Sequence, residues 1–113
     1  MPFIHTRVNR PISQEAEKKL AQDFGRAAAL LGKSESWLML QFEDNCRLYF
    51  QGDSDRPIAF VSVKLFGSAG SAAYEKMTEK LTALVTETLS IPAENVYVEY
   101  EETEHWGWRG SNF

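Results

Sequence analysis

Two stretches of this chain repeat the same order of hydrophobic and polar positions. The first begins with a mostly apolar segment at residues 3–8, which predicts a β-strand. Apolar residues then recur every three or four positions from Ala16 to Leu31, the spacing of an amphipathic helix of about five turns. Ser13 before this run and Gly32 after it are typical of a helix N-cap and of the residue that ends a helix. The pattern therefore predicts a strand followed by a capped helix.

The remaining segments complete this plan and then repeat it. Residues 37–42 predict a largely buried strand and residues 47–50 a short one, before a polar loop at 51–57. Residues 58–66 and 96–100 predict two more strands, one on either side of a second helix. The inner face of that helix is traced by residues at helical spacing: Tyr74, Met77, Leu81, Leu84, Val85 and Thr88.

Both halves thus run strand, helix, strand, offset by roughly 58 residues. Two such βαβ units pair as one four-stranded sheet with both helices on one face. We therefore predict an α+β fold, a two-layer α/β sandwich, in a single domain over residues 1–113. The other sheet face would carry Phe, Val, Leu and Tyr side chains with nothing in the chain to cover them. Such a face associates with copies of itself, which predicts a homo-oligomer.

The composition narrows the class of partner. At 43% hydrophobic residues, the chain is too apolar for a disordered protein. Its net charge is −4 and its basic residues are scattered, so no nucleic-acid partner is expected. No apolar run reaches the ~18 residues of a membrane span, and no basic segment precedes an apolar one at the N-terminus. We expect a cytoplasmic protein with no membrane partner, or one secreted without a conventional signal peptide.

Cysteine and histidine are too few for the commonest redox and metal sites. Cys46 is the only cysteine, which excludes an intramolecular disulfide. His5 and His105 are the only histidines, and they lack the spacing of metal ligands. We expect no metal.

The second residue offers a different kind of chemistry. Methionine is normally removed when a residue as small as proline follows it, so loss of Met1 would leave Pro2 with a free secondary amine. An α-amino group has a pKa of roughly 8, which burial or a nearby cation lowers towards neutrality. A base that titrates near pH 7 is suited to proton transfer. Many chains begin with Met-Pro without consequence, so the surroundings of Pro2 decide between the two interpretations.

Short segments, in order along the chain, carry a resemblance to a known family. They are Pro2-Phe3-Ile4, Leu31-Gly32-Lys33, Gly52-Asp53-Ser54 with Pro57, Phe66-Gly67, Val96-Tyr97-Val98, and the ending Trp106-Gly107-Trp108-Arg109-Gly110-Ser111-Asn112-Phe113. With them the chain resembles, over essentially its whole length, the macrophage migration inhibitory factor (MIF) family of the tautomerase superfamily. The resemblance implies a homotrimer whose sheets form a central barrel, with active sites between neighbouring subunits.

The resemblance also implies a reaction, keto–enol tautomerisation of phenylpyruvate-like α-keto acids and of dopachrome, without a cofactor. Pro2 would be the catalytic base. Lys33 would bind the substrate carboxylate, stabilise the developing enolate and keep Pro2 neutral. A cation that completes a helix C-terminus is the structural alternative for Lys33.

Further positions match residues that bind substrate in the family: Phe66, Tyr97, Trp37, Trp108 and Phe113. Phe66 would contact substrate mainly through its backbone, although its ring, where a smaller aliphatic residue is common, would reshape the site. Tyr97 would donate a hydrogen bond or stack on an aryl ring, and Trp37 and Trp108 would cover an aromatic substrate. Strand pairing for Tyr97 and core packing for Trp37 are the structural alternatives.

Glu99 departs from the family, in which asparagine is frequent at this position. A carboxylate in the pocket would raise the pKa of Pro2, weaken it as a base and repel an anionic substrate. We therefore expect lower activity than in the best family members, unless Glu99 faces solvent or pairs with Lys33 or Arg109.

Two other functions remain open. The chain would alternatively be a MIF-like secreted cytokine or receptor-binding protein with a weak or vestigial tautomerase site. Another reaction of the superfamily, decarboxylation or dehalogenation, would use additional charged residues such as Arg7, Arg10 or Glu99 to position water.

Overall fold

The computed structural model describes all 113 residues and contains one four-stranded mixed sheet. Its strands are β1 (Pro2–Val8), β2 (Met39–Glu43), β3 (Ala59–Phe66) and β4 (Val96–Thr103). They lie in the order β2-β1-β3-β4. β1 is parallel to β2 and β3 is parallel to β4, whereas β1 and β3 pair antiparallel. Each half of the chain is therefore a βαβ unit, as the repeated pattern predicts.

The helices begin and end where the sequence places their caps. Helix α1 (Gln14–Ala27) starts after Ser13, whose hydroxyl accepts a hydrogen bond from the Ala16 amide at 3.1 Å. The helix continues as a 3₁₀ turn that ends at Gly32, whose φ of 70° is left-handed. Helix α2 (Ser71–Leu89) ends before Pro92.

The hydrophobic core lies between the sheet and the two helices. Fully buried side chains come from β1, β3 and both helices: Ile4, Val8, Leu20, Phe24, Val61, Val63, Met77, Leu81 and Val85. Both helices thus pack on the same face of the sheet, which confirms the predicted two-layer α+β architecture.

Two strand predictions need correction. The strand predicted at 37–42 begins only at Met39, because residues Glu35–Trp37 form a 3₁₀ turn capped by the Ser34 hydroxyl. The strand predicted at 47–50 does not form. Its last residue, Phe50, instead exchanges two backbone hydrogen bonds with Asp53 across a tight turn, at 2.9 and 3.0 Å. Residues 47–49 pair with no strand of the sheet.

The open face of the sheet is more polar than the sequence analysis predicts. Side chains alternate along each strand, and the valine and leucine residues of the strands point towards the helices. The open face carries Phe3, His5, Arg7, Met39, Gln41, Glu43, Phe60, Ser62, Lys64, Tyr97, Glu99 and Glu101. The Phe and Tyr expected there are present, while the Val and Leu are buried against the helices. Two pairs of polar side chains are in contact on this face, His5 with Glu43 and Lys64 with Glu101.

The C-terminal tail is ordered. Strands β5 (Gly107–Trp108) and β6 (Ser111–Asn112) form a short hairpin. The amide of Phe113 donates to the carbonyl of Trp106 at 3.1 Å. This hairpin brings the last residue of the chain back towards the sheet.

Candidate active site

The start of the chain lies in a cleft at one end of the sheet. Pro2 is buried and pairs with Leu65 in the neighbouring strand β3. The cleft has a volume of about 560 Å³ and contains all three tryptophans of the chain. Its lining residues are Met1, Pro2, Phe3, Ser36, Trp37, Leu38, Met39, Lys64, Trp106, Gly107 and Trp108.

Lys33 reaches the same region from the end of α1. The left-handed Gly32 turns the chain, and the Lys33 Nζ donates to the carbonyl of Phe66 at 3.1 Å. The amide of Phe66 in turn donates to the carbonyl of Met1 at 3.3 Å. One β3 residue therefore links the ammonium of Lys33 to the first residue of the chain.

This environment weakens the chain's amino group as a base. Burial, and secondly the positive charge of Lys33, lower the pKa of the Met1 amino group below its ordinary value. Pro2 is buried in the same cleft. An amine on Pro2 would face the same two influences, which have the sign that a base active near neutral pH requires.

Four aromatic residues form one wall beside this position. The rings of Trp37 and Trp108 meet edge to face at 4.8 Å. Phe113 is stacked near Trp108 at 6.4 Å and lies 5.5 Å from Phe66. Trp37 and Trp108 are each 46% exposed. Trp37 thus belongs to the cleft and is not packed in the core, which was the structural alternative for this residue.

Tyr97 and Glu99 lie elsewhere in the chain. Tyr97 pairs with Phe60, five residues along β3 from the partner of Pro2, a separation of roughly 17 Å. Its ring packs against Phe50 at 5.1 Å and Phe60 at 6.3 Å, beside a second, smaller cleft of about 220 Å³. Glu99 is exposed opposite Ser62 and makes no ion pair, either with Lys33 or with Arg109.

The structure therefore brings six of the eight predicted site residues together and leaves two apart. Pro2, Lys33, Phe66, Trp37, Trp108 and Phe113 gather at one end of the sheet. The sequence analysis did not single out Lys64, Met39 or Trp106 as cleft residues. Only the strand register, which sets Lys64 opposite Phe3, reveals the position of that lysine.

Other features of the molecule bear on metal and membrane binding. No three histidine, cysteine, aspartate or glutamate side chains come close enough together to hold a metal ion. Neither helix has the length and apolar character that crossing a bilayer requires.

Comparison with known proteins agrees with the fold and with the sequence motifs. A family model described as macrophage migration inhibitory factor (MIF) matches residues 1–113. The chain is 28% identical to a MIF homolog of Brugia malayi and 27% identical to MIF of Meriones unguiculatus. Each match covers 100% of this chain and 99% of the relative.

Solved structures give the same result. Leishmania major MIF2 superposes with a TM-score of 0.93 at 35% identity, covering 100% of this chain and 97% of the other. A MIF homologue from Prochlorococcus marinus superposes at 0.89 with 28% identity, covering 98% of each chain. These matches support a MIF-like role. The chain belongs to the macrophage migration inhibitory factor family.

Proposed function

We propose that the protein is a cofactor-independent keto–enol tautomerase that acts on phenylpyruvate-like α-keto acids, and on dopachrome, with Pro2 as the catalytic base. The observation that carries the proposal is the position of Lys33. Its ammonium is hydrogen-bonded to Phe66, whose amide is bonded to the first residue of the chain, beside an aromatic cleft. This reaction needs three parts: a cation, a chain-terminal amine and an apolar wall large enough for an aryl ring.

Proton transfer would begin once Met1 is removed and the Pro2 nitrogen is free. The neutral amine takes a proton from the carbon next to the keto group, and the electrons of that C–H bond form the C=C bond of the enol. The carbonyl oxygen becomes an enolate and then accepts that proton from the protonated Pro2 amine, which regenerates the neutral base. Lys33 stabilises the negative charge on this oxygen and binds the substrate carboxylate. The reverse sequence converts the enol to the keto acid.

The aromatic wall would hold the ring of the substrate. The edge-to-face pair of Trp37 and Trp108 leaves both rings about half exposed to the cleft. Phe113 and Phe66 extend this apolar surface towards Lys33. Aromatic contacts of this kind add about 0.5–1.5 kcal/mol each beyond area burial.

A homotrimer would complete the site. Tyr97 and Glu99 lie on the open face of the sheet, roughly 10–17 Å along β3 from the partner of Pro2 in the same chain. A neighbouring copy packed against that face would supply them to the Pro2 cleft. In this arrangement the active site lies between subunits, and Glu99 faces Pro2 from the adjacent chain.

The first test is the ketonisation of enol-phenylpyruvate by untagged protein whose Pro2 terminus has been verified by mass spectrometry. We expect measurable turnover, and a loss of about 10²–10⁴-fold in Pro2→Gly, the usual contribution of a general base. Equal turnover by Pro2→Gly, or none by the verified protein, would contradict the proposal. Folding of the variant is checked by circular dichroism and by its molecular mass in solution.

A second candidate function follows from the relatives, which are macrophage migration inhibitory factors. The chain would then be a secreted receptor-binding protein with a weak or vestigial tautomerase site. This alternative predicts poor turnover and binding to a receptor ectodomain that survives the Pro2→Gly substitution.

A further inference from the structure

One lysine, Lys64, lines the Pro2 cleft, and the mechanism above gives it no role. Lys64 is the β3 residue that pairs with Phe3, directly beside the Leu65 that pairs with Pro2. Its side chain is 53% exposed and lines the same cleft as Pro2 and the tryptophans. It is therefore accessible to a ligand bound at Pro2.

Lys64 and Lys33 are related to Pro2 through different residues of β3. Leu65, opposite Pro2, is flanked in β3 by Lys64 on one side and by Phe66 on the other. Lys33 is hydrogen-bonded to the carbonyl of Phe66. The backbone neighbours of Leu65 are thus Lys64 itself and the residue whose carbonyl binds Lys33, although one carboxylate of a simple α-keto acid needs only one of the two lysines.

Other residues of the chain bind the Lys64 side chain only weakly. Its one ion pair joins Nζ to a carboxylate oxygen of Glu101 at 3.7 Å, and the Glu101 side chain is 56% exposed. Exposed pairs of this geometry contribute little to stability. An incoming carboxylate can therefore displace Glu101 at small cost.

We propose that the preferred substrates are 2-oxo acids that carry a second carboxylate, which Lys64 binds while Lys33 binds the first. The proposal rests on the proposed tautomerase function for its reaction and for the role of Lys33, and it adds Lys64, which lines the cleft, as the partner of the second carboxylate. The cleft volume of about 560 Å³ lies well inside the usual range of ligand pockets, roughly 300–1,000 Å³. An aryl or alkyl chain ending in a carboxylate therefore has room.

Binding can be measured without any turnover. All three tryptophans line the cleft, so quenching of intrinsic fluorescence reports its occupation. The probes are 4-carboxycinnamate and cinnamate, which share a ring and one carboxylate and differ in the second. We expect the diacid to bind about tenfold more tightly at low salt, a difference of about 1.4 kcal/mol, and the advantage to shrink at high salt.

Two substitutions should change the ratio of diacid affinity to monoacid affinity in opposite directions. Lys64→Met should abolish it, because the second carboxylate loses its partner, and Glu101→Gln should enlarge it, because the competing carboxylate is gone. Lys18→Met, which removes an exposed lysine of α1, is the matched charge control and should leave the ratio of the two affinities unchanged. Equal binding of the two probes by the unmodified protein overturns the proposal. An equal loss for both probes in Lys64→Met also overturns it, since Lys64 would then bind the shared carboxylate.

Measurements of turnover distinguish the diacid preference from the proposed tautomerase function. The ratio of kcat/KM for the enols of 4-carboxyphenylpyruvate and phenylpyruvate should equal the ratio of their binding affinities. The two substrates should differ in KM and not in kcat. A Pro2→Gly variant that retains turnover but still prefers the diacid in fluorescence would refute the prolyl base and support the diacid site. Turnover that depends on Pro2, without any preference for the diacid, would refute only the diacid site.

Discussion

At the scale of single residues, the backbone and the side chain of Lys33 make separate contacts. Its backbone amide donates to the carbonyl of Ala28 at 3.2 Å and so helps to end the helical segment. Its side chain extends away from the helix to the carbonyl of Phe66. The helix-ending position and the proposed substrate-binding position are therefore the same residue.

Substitution of Lys33 tests the electrostatic part of the mechanism. Lys33 lowers the pKa of the amino group at the chain start, so Lys33→Met should raise the pKa of the Pro2 amine. The amine would then stay protonated to higher pH, and the acid limb of the pH profile of kcat/KM should move to higher pH. Loss of a charged hydrogen bond should also lower kcat/KM about 10- to 100-fold.

Lys18→Met again serves as the control, since this exposed lysine removes the same charge elsewhere on the surface. An acid limb that stays in place in Lys33→Met, together with unchanged kcat/KM, would refute both roles of Lys33.

At the scale of elements, the left-handed Gly32 determines where Lys33 points. A Cβ at this position would meet no atom within 4 Å, so only backbone strain opposes a side chain. We expect Gly32→Ala to lower the free energy of unfolding by about 1 kcal/mol, and Gly32→Asn to lower it less, because asparagine tolerates positive φ. Urea titrations at one fixed protein concentration measure this, since association stabilises the fold. A cost that is the same for Ala and Asn would contradict the backbone explanation.

The elements also show which features a sequence can predict. Helix α1 was predictable because its caps, Ser13 and Gly32, act on neighbours within a few residues. The segment at 47–50 has suitable strand residues, but strand formation depends on a partner, and no strand of the sheet pairs with it. Lys64 was missed for a similar reason, since its place beside Pro2 depends on the register between β1 and β3.

At the scale of the whole molecule, the residues of the predicted site lie in two separate places on a single chain. The family motifs identified Pro2 and Tyr97 together, yet the sheet holds them apart at roughly 17 Å along β3. No local pattern contains this information, because it depends on how copies of the chain assemble. The open face, with Phe60, Tyr97 and paired charges, is the surface on which such an assembly would form.

A consequence of this assembly concerns Glu99. If a neighbouring copy brings Glu99 to Pro2, its carboxylate raises the pKa of the Pro2 amine and repels the substrate. Glu99→Asn should then move the acid limb of kcat/KM to lower pH and raise the rate near neutral pH, by about two- to tenfold. The control is Glu104→Gln, an exposed acid in the segment after β4. An unchanged rate in Glu99→Asn would show that this carboxylate does not influence Pro2.

Phe66 contacts both Met1 and Phe113. Its amide is bonded to Met1, and its ring lies against Phe113. Loss of these two residues should therefore affect activity in opposite ways. Removal of Met1 would create the proposed base, whereas deletion of Phe113 would take away one aromatic side of the proposed pocket and leave the buried core intact. A well-folded molecule would then be active or inactive according to which of these two residues it retains.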